Sequence, residues 1–284
     1  MSETNQRQLI VTADDFGAAI AVNEAVERAH REGVLTAASL MVAGDAAADA
    51  VGRARTMPDL GVGLHLVLVE GRPALPPELV PDLVDSHGRF REDMVRSAIA
   101  MAFVPRVRRQ LFAEVEAQFA AFAATGLQLD HVNAHKHFHL HPVIASALLA
   151  AGAKYGMIAA RAPIEPRNVL ATIEPGARPR RDPAEPWARL TRARLRRAGL
   201  TVPDQVFGLA WSGAITPDRL RGLIEHCPPG LTEIYTHPAN GPYPGSAAGY
   251  GYESELAALT DPLAKEAIAR KNIVLGSFRS FAGD

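Results

Sequence analysis

Cysteine is nearly absent from this 284-residue chain. Cys227 is the only one, which excludes an intramolecular disulfide and fits a reducing compartment. No stretch reaches the roughly 18 consecutive apolar residues of a membrane-spanning helix. Neither sign of charge is in excess: 30 Lys and Arg face 31 Asp and Glu, for a formal net charge of -1. That balance removes any global electrostatic pull toward nucleic acid or membrane. Aromatics make up only 6% of the chain, so a local cluster of them carries information. No G-x-G-x-x-G follows the first apolar run, which argues against a dinucleotide site. The opening segment MSETNQRQLIVTADDFG lacks the basic-then-apolar layout of a secretory signal. A soluble, cytoplasmic protein is expected, with peripheral contact at the inner face of the membrane as an alternative.

What the chain has is alternation. At 48% hydrophobic content it can bury a full core. Strand-like runs at 9–12, 34–42, 62–68, 157–161, 206–210, 231–236 and 273–277 alternate with helical patterns at 22–31, 46–55, 106–125, 143–154 and 262–271. Leu111, Val115, Phe119 and Phe122 form one apolar stripe along the fourth pattern. Thr216-Pro217 has the residues of a helix N-cap and first position. About seven or eight strands separated by helices favour an α/β fold, a distorted (β/α) barrel, with an open doubly wound sheet as runner-up. One domain is expected over 1–284, with loop insertions at about 69–105, 162–204 and 238–252.

Five of the ten histidines fall within residues 131–141, in HVNAHKHFHLH. Imidazole is the commonest protein metal ligand and titrates near neutrality. Read as a strand ending at Pro142, the run would place His135, His137 and His139 on one face. Other polar residues also fall at expected strand ends: Asp14 and Asp15, His65, Arg161 and His237. In a barrel those ends converge on the face where active sites form. Adjacent strand residues point to opposite sides, so Asp14 and Asp15 should have different roles; helix capping by one of them is the alternative. Asp15, His65 and His135 together would offer one carboxylate and two imidazoles with open positions, an arrangement suited to a hydrolytic metal centre. Arg161 could keep Asp14 ionised. His237 is the first candidate for a general acid, and His139 competes with it. His137 and His141 read as support, and His30, His87 and His226 as unremarkable.

TADDFG at 12–17, GLHL at 63–66, HVNAHKHFHLHP at 131–142 and YTHPA at 235–239 resemble the four signature blocks of the YdjC-like carbohydrate deacetylases, in order and over essentially the whole chain. AVNEAVERAH, TAASLMVAG, GLHLVLVEGRPALPP and FGLAWSG are similar to the hopanoid-biosynthesis-associated subgroup. The resemblance implies a distorted (β/α) barrel, a divalent cation (Zn²⁺ or Mg²⁺, with Mn²⁺ or Co²⁺ as alternatives) and hydrolysis of N-acetyl groups on sugars. It makes Asp15, His65 and His135 the metal ligands and Asp14 the general base. One departure stands out: Asn133 occupies a position where relatives acting on small chitin sugars usually carry Asp. His139, Asn133 and Glu70 are expected to contact substrate.

The subgroup implies an N-acetylated amino sugar linked to a hopanoid. Small free amino sugars such as chitobiose are the alternative. A metal phosphoesterase would need more clustered carboxylates, and a non-catalytic carrier would not need the Asp14–Asp15 pair. Residues 238–252 hold four glycines and three of the five tyrosines, a composition suited to a flap over a sugar. Residues 187–199 carry five arginines, with Trp187, Leu190, Leu195 and Ala198 on one helical face. That segment reads either as a membrane-surface helix or as a barrel helix with a solvated charged face.

Overall fold

The computed structural model describes residues 6–176 and 183–283. The strands are β1 (Arg7–Phe16), β2 (Ala37–Leu40), β3 (Gly61–Leu66), β4 (Val132–Ala134), β5 (Gln205–Phe207), β6 (Gly230–Thr236) and β7 (Val274–Leu275). Between and after them run α1 (Ile20–Glu32), α2 (Ala47–Ala54), α3 (Met94–Phe103), α4 (Pro105–Ala124), α5 (Pro142–Lys154), α6 (Arg167–Ile173), α7 (Glu185–Arg197), α8 (Pro217–Glu225), α9 (Tyr252–Leu259), α10 (Pro262–Arg270) and α11 (Phe278–Phe281). Strand pairing is parallel, in the order β4-β3-β2-β1-β6-β5, with β7 beside the start of β1. Parallel neighbours require crossovers, and helices on the outer face leave the strands buried on both sides. Hence β1 reads as a nearly continuous apolar run, with Leu9, Ile10, Val11, Ala13 and Phe16 fully buried. The result is a curled, incomplete (β/α) barrel. Leu111, Val115, Phe119 and Phe122 of α4 are buried, and the Thr216 hydroxyl accepts from the Arg219 N–H at the start of α8.

Three expectations change. The strand expected at 157–161 forms only single bridges, Val132 to Ala160 and Ala159 to Thr201, and Val206 N–H reaches the Ile164 carbonyl at 2.9 Å. This segment lies between β4 and β5 and completes the curl. Pro163, just beyond it, has no N–H to give to a ladder. The histidine run is a strand only over Val132–Ala134. From His135 to Leu140 the backbone coils tightly, with Lys136 and His137 left-handed (φ 52° and 53°), because the chain must turn at once into α5 at Pro142. His135, His137 and His139 therefore do not share a face.

The third change concerns α7. Its buried face is Ala188, Thr191 and Leu195, while Trp187 and Leu190 stay about half exposed. Small side chains face the barrel because α7 packs closely on α5. Several of its arginines are engaged within the molecule. Arg192 donates to the Asp204 carbonyl, Arg194 to the Pro142 carbonyl and Ser146 hydroxyl, and Arg196 to the Val202 carbonyl and Asp204 carboxylate. Part of the insertion expected at 162–204, residues 177–182, lies outside the described residues. The insertion at 69–105 contains α3. Among the described residues no helix is long and apolar enough to cross a membrane.

Candidate metal and acid–base site

The site begins with an irregularity in β1. Pairing with β2 shifts register between Ala13 and Phe16, and Asp15 takes a left-handed φ of 62°. A bulge of this kind re-aims side chains. Both carboxylates consequently reach the same cavity, although an undistorted strand would send them apart. They nevertheless contact different groups.

Asp15 Oδ1 lies 3.2 Å from His65 Nε2 and 3.2 Å from His135 Nδ1, and those two nitrogens are 3.3 Å apart. Among the described residues this is the one group of three such ligand atoms within 4.8 Å of one another. Ligands about 2.0–2.1 Å from a tetrahedral zinc sit about 3.3 Å apart. Two imidazole lone pairs and a carboxylate oxygen converging on one point repel unless a proton or a cation lies between them. The donor set therefore fits a divalent cation. Burial alone would raise the Asp15 carboxyl, but His135 and His65 hold it well below the ordinary carboxylate range. Burial alone would lower His65, but Asp15 and Asp14 raise it above its ordinary value.

Proton positions beside this triangle follow from one constraint, that an ionised carboxylate only accepts. Asp14 Oδ1 receives the Asn133 amide (2.9 Å), the Ser39 hydroxyl (2.9 Å) and Arg161 Nη2 (2.9 Å), while Oδ2 receives Arg161 Nη1 at 2.6 Å. Asn133 must then turn its Oδ1 toward His65 Nδ1, 2.7 Å away. His65 donates from Nδ1, which leaves the Nε2 lone pair facing Asp15 and His135. His65 and Asn133 stand side by side because they are register partners on β3 and β4. Asn133 is fully buried, and its amide bonds go to Asp14, Ser39 and His65. The expectation that it contacts substrate gives way to this orienting arrangement.

Arg161 is also fully buried. Besides clamping Asp14 it donates from Nε and Nη2 to Glu233 Oε1 at 3.0 and 2.7 Å, and its guanidinium lies 4.5 Å over the Tyr235 ring. Burial would raise Asp14, but the Arg161 charge, with His65 and the Arg161 hydrogen bonds, holds it well below the ordinary range. Asp14 thus stays ionised throughout the neutral range.

The remaining histidines separate by position. His139 Nε2 faces the Arg161 carbonyl at 2.8 Å and must donate to it; burial pushes the ring down to about 4. It is neutral, lies beneath Arg161 and does not line the cavity. That placement excludes direct substrate contact in this arrangement. His137 lines the cavity with Nε2 3.1 Å from the Tyr235 hydroxyl, and burial, aided by the Arg161 charge, pushes it well below its ordinary value. His237 lies on the cavity wall between Tyr235 and Tyr250. Its buried Nδ1 has no hydrogen-bond partner among the described residues. Glu255, wholly buried, accepts the His237 backbone N–H and the Ile215 N–H. Glu70 reaches the cavity and pairs with Lys136.

The cavity measures about 1060 Å³, room for more than one sugar ring. Tyr243 and Tyr250 each pack at a tilt against Tyr252, and all three line the cavity, so residues 238–252 do contribute wall. Ser39, Glu233 and Glu255 went unnoticed in the sequence. Only Glu233 had a visible signal, a charge in the middle of the apolar run LTEIYT.

The sequence profile of the YdjC-like protein family matches residues 8–270. A carbohydrate deacetylase of Geobacillus stearothermophilus is 33% identical over 97% of this chain and 98% of its own length. One from Brevibacillus brevis is 43% identical over 52% of this chain, and the match spans about half of that relative (56%). A solved structure from Enterococcus faecalis V583, described as a candidate cellobiose-phosphate cleavage protein, superposes with a TM-score of 0.76 at 26% identity. That superposition covers 98% of this chain and 100% of the other.

Proposed function

This chain belongs to the YdjC-like protein family, and from that premise we propose that it is a metal-dependent carbohydrate N-deacetylase. The observation that carries the proposal is the Asp15–His65–His135 triangle beside an ionised, arginine-clamped Asp14 on the floor of a large cavity. Asp15, His65 and His135 would hold a Zn²⁺, Mn²⁺ or Co²⁺ ion, or Mg²⁺ with additional waters. Bound there, a divalent cation acidifies water and polarises an acetamide carbonyl.

The protein's own groups supply the rest. Asp14 Oδ1 is filled by three donors, whereas Oδ2 has only Arg161 Nη1. Oδ2 therefore keeps a lone pair to take the proton of the attacking water. So acidic a carboxyl is a weak base, and it works only on a water whose own acidity has been raised. Arg161 and Glu233 fix the Asp14 plane, and Asn133 fixes the His65 tautomer. His237, on the cavity wall, donates the proton to the departing amine, and the products are acetate and the free amino sugar.

Within this reading the substrate is an N-acetylglucosamine group on bacteriohopanetetrol. The motifs shared with the hopanoid-associated subgroup support it, as does Asn133, which departs from the Asp usual in chitin-sugar relatives. The deciding experiment compares acetate release from N-acetylglucosaminyl bacteriohopanetetrol and from chitobiose, each with and without chelator. Chelator-sensitive release that favours the hopanoid is expected. Preference for chitobiose would move the chain to the free-sugar class, and chelator-insensitive release would remove the cation from the mechanism.

A further inference from the structure

We propose that the tip of the α3–α4 hairpin is a membrane-docking element that inserts Phe103 and Val104 into the headgroup region of an anionic phospholipid bilayer. Phe103 is 80% exposed, Ile99 57% and Val95 71%, and they follow one another at four-residue spacing along α3. Val104 and Pro105, at the turn into α4, are exposed as well. An apolar stripe turned to water is costly unless something covers it. The stripe ends at the turn between α3 and α4.

The placement of the tip follows from α4. Gln118 accepts the Val67 N–H and donates to the Val67 carbonyl, so this part of α4 is level with the end of β3. The part of α4 ahead of Gln118 then extends about 20 Å further, at 1.5 Å per residue. The residue 70–92 loop packs along it, with Glu114 accepting from Ala74 and Leu75 and Gln110 bonding Asp82. Since β3 also ends at the cavity, the tip stands on the cavity side of the barrel.

Charge selects the occupant. Arg96, Arg106, Arg108 and Arg109 surround the stripe and are exposed. Arg106 pairs with Asp82, and Arg108 caps the Ala102 carbonyl. Arg96 and Arg109 have no ion pair among the described residues. The acidic Glu92 and Asp93 lie at the far end of α3, with Asp93 occupied as its N-cap. An apolar tip within a collar of arginines matches the boundary between acyl chains and anionic headgroups. A second copy paired tip to tip would instead bring like charges together. This surface is distinct from α7, whose arginines are largely engaged within the molecule, and the inference holds whether or not the sugar substrate carries a lipid.

The test is co-sedimentation of the intact protein with vesicles of phosphatidylcholine and phosphatidylglycerol, against phosphatidylcholine alone. Binding to the anionic vesicles only, weakening as salt rises, is expected. Ile99→Ser with Phe103→Ser should cut partitioning by about tenfold or more, and Arg109→Gln by about fivefold. Both variants should keep the wild-type melting curve and acetate release from soluble sugar. Trp187→Ser with Leu190→Ser should leave binding unchanged. Absence of wild-type binding, equal binding by the tip variant, or loss of binding through the α7 variant alone would overturn the proposal. So would a wild-type dimer that the tip variant converts to monomer without any vesicle binding.

Discussion

Replacing Arg161 by Met tests the electrostatic logic of the site. The guanidinium is wholly buried and makes four hydrogen bonds to two carboxylates, two to Asp14 and two to Glu233. Methionine preserves much of the volume but removes the cation that bridges them, leaving two buried carboxylates near each other. Breaking a buried ion pair from one side costs about 3–5 kcal/mol. For a chain of this size each kcal/mol moves the melting temperature by about 2–4 °C, so a fall of about 10 °C is expected near neutral pH. The sign of the pH dependence discriminates further. In the wild type the Asp14 pKa lies below its unfolded value. Its contribution is therefore present above the unfolded value and is lost only as pH falls through the depressed folded one. In the variant, burial is no longer opposed by Arg161, so one of the two carboxylates binds a proton more readily when folded. The deficit should then shrink as pH falls from about 7 toward about 4.5. Thermal unfolding of both proteins in chelator, across that range, reads this out. A deficit constant with pH would refute the argument. Adding Glu233→Gln to the variant should recover part of the loss.

His65→Ala and His135→Ala should each lower bound metal while the far-ultraviolet dichroism is retained; elemental analysis showing full occupancy in both would remove them as ligands. Asn133→Ala removes one of the two partners of His65 Nδ1, leaving the Ser39 hydroxyl at 3.0 Å, and should weaken metal affinity by about 10–100-fold, measured by competition with a chromogenic chelator. Asp14→Asn should keep the metal and lose about 10²–10⁴-fold in turnover, and near-normal rates would mean that another group activates the water. Because Asp15 and Asp14 raise His65 in the metal-free protein, uptake of metal displaces a proton wherever the pH lies below that raised value. Affinity should therefore fall as pH drops through the raised His65 value, and titration calorimetry in buffers of different ionisation enthalpy will report the proton.

Much of the fold was legible because apolar period marks strands and helices without reference to their partners. The runs that became β1, β3 and β6, and the α4 stripe, were visible in this way. The site was legible where rare residues fell at strand ends, as Asp15, His65 and His237 do. Local geometry was not legible. The β1 bulge that sends Asp14 and Asp15 into one cavity, and the coil at 135–140 that separates three histidines, arise from turns imposed by neighbouring elements. No period records them. Asn133 was noticed as a departure from relatives, but its direction of donation depends on Asp14, 119 positions away. Glu255 was hidden because a buried glutamate on a helix resembles a solvated one.

Four of the five non-glycine residues with positive φ among the described residues, Asp15, Glu70, Lys136 and His137, line the cavity. Left-handed backbone costs such residues about 1–2 kcal/mol each. The cavity rim therefore sits on weaker local footing than the strands beneath it. In hydrogen exchange, amides at 135–137 should open well before those of β1. The chain keeps its most reactive side chains where its backbone is most ready to rearrange, and a metal bound by Asp15 and His135 would act as the clasp on that segment.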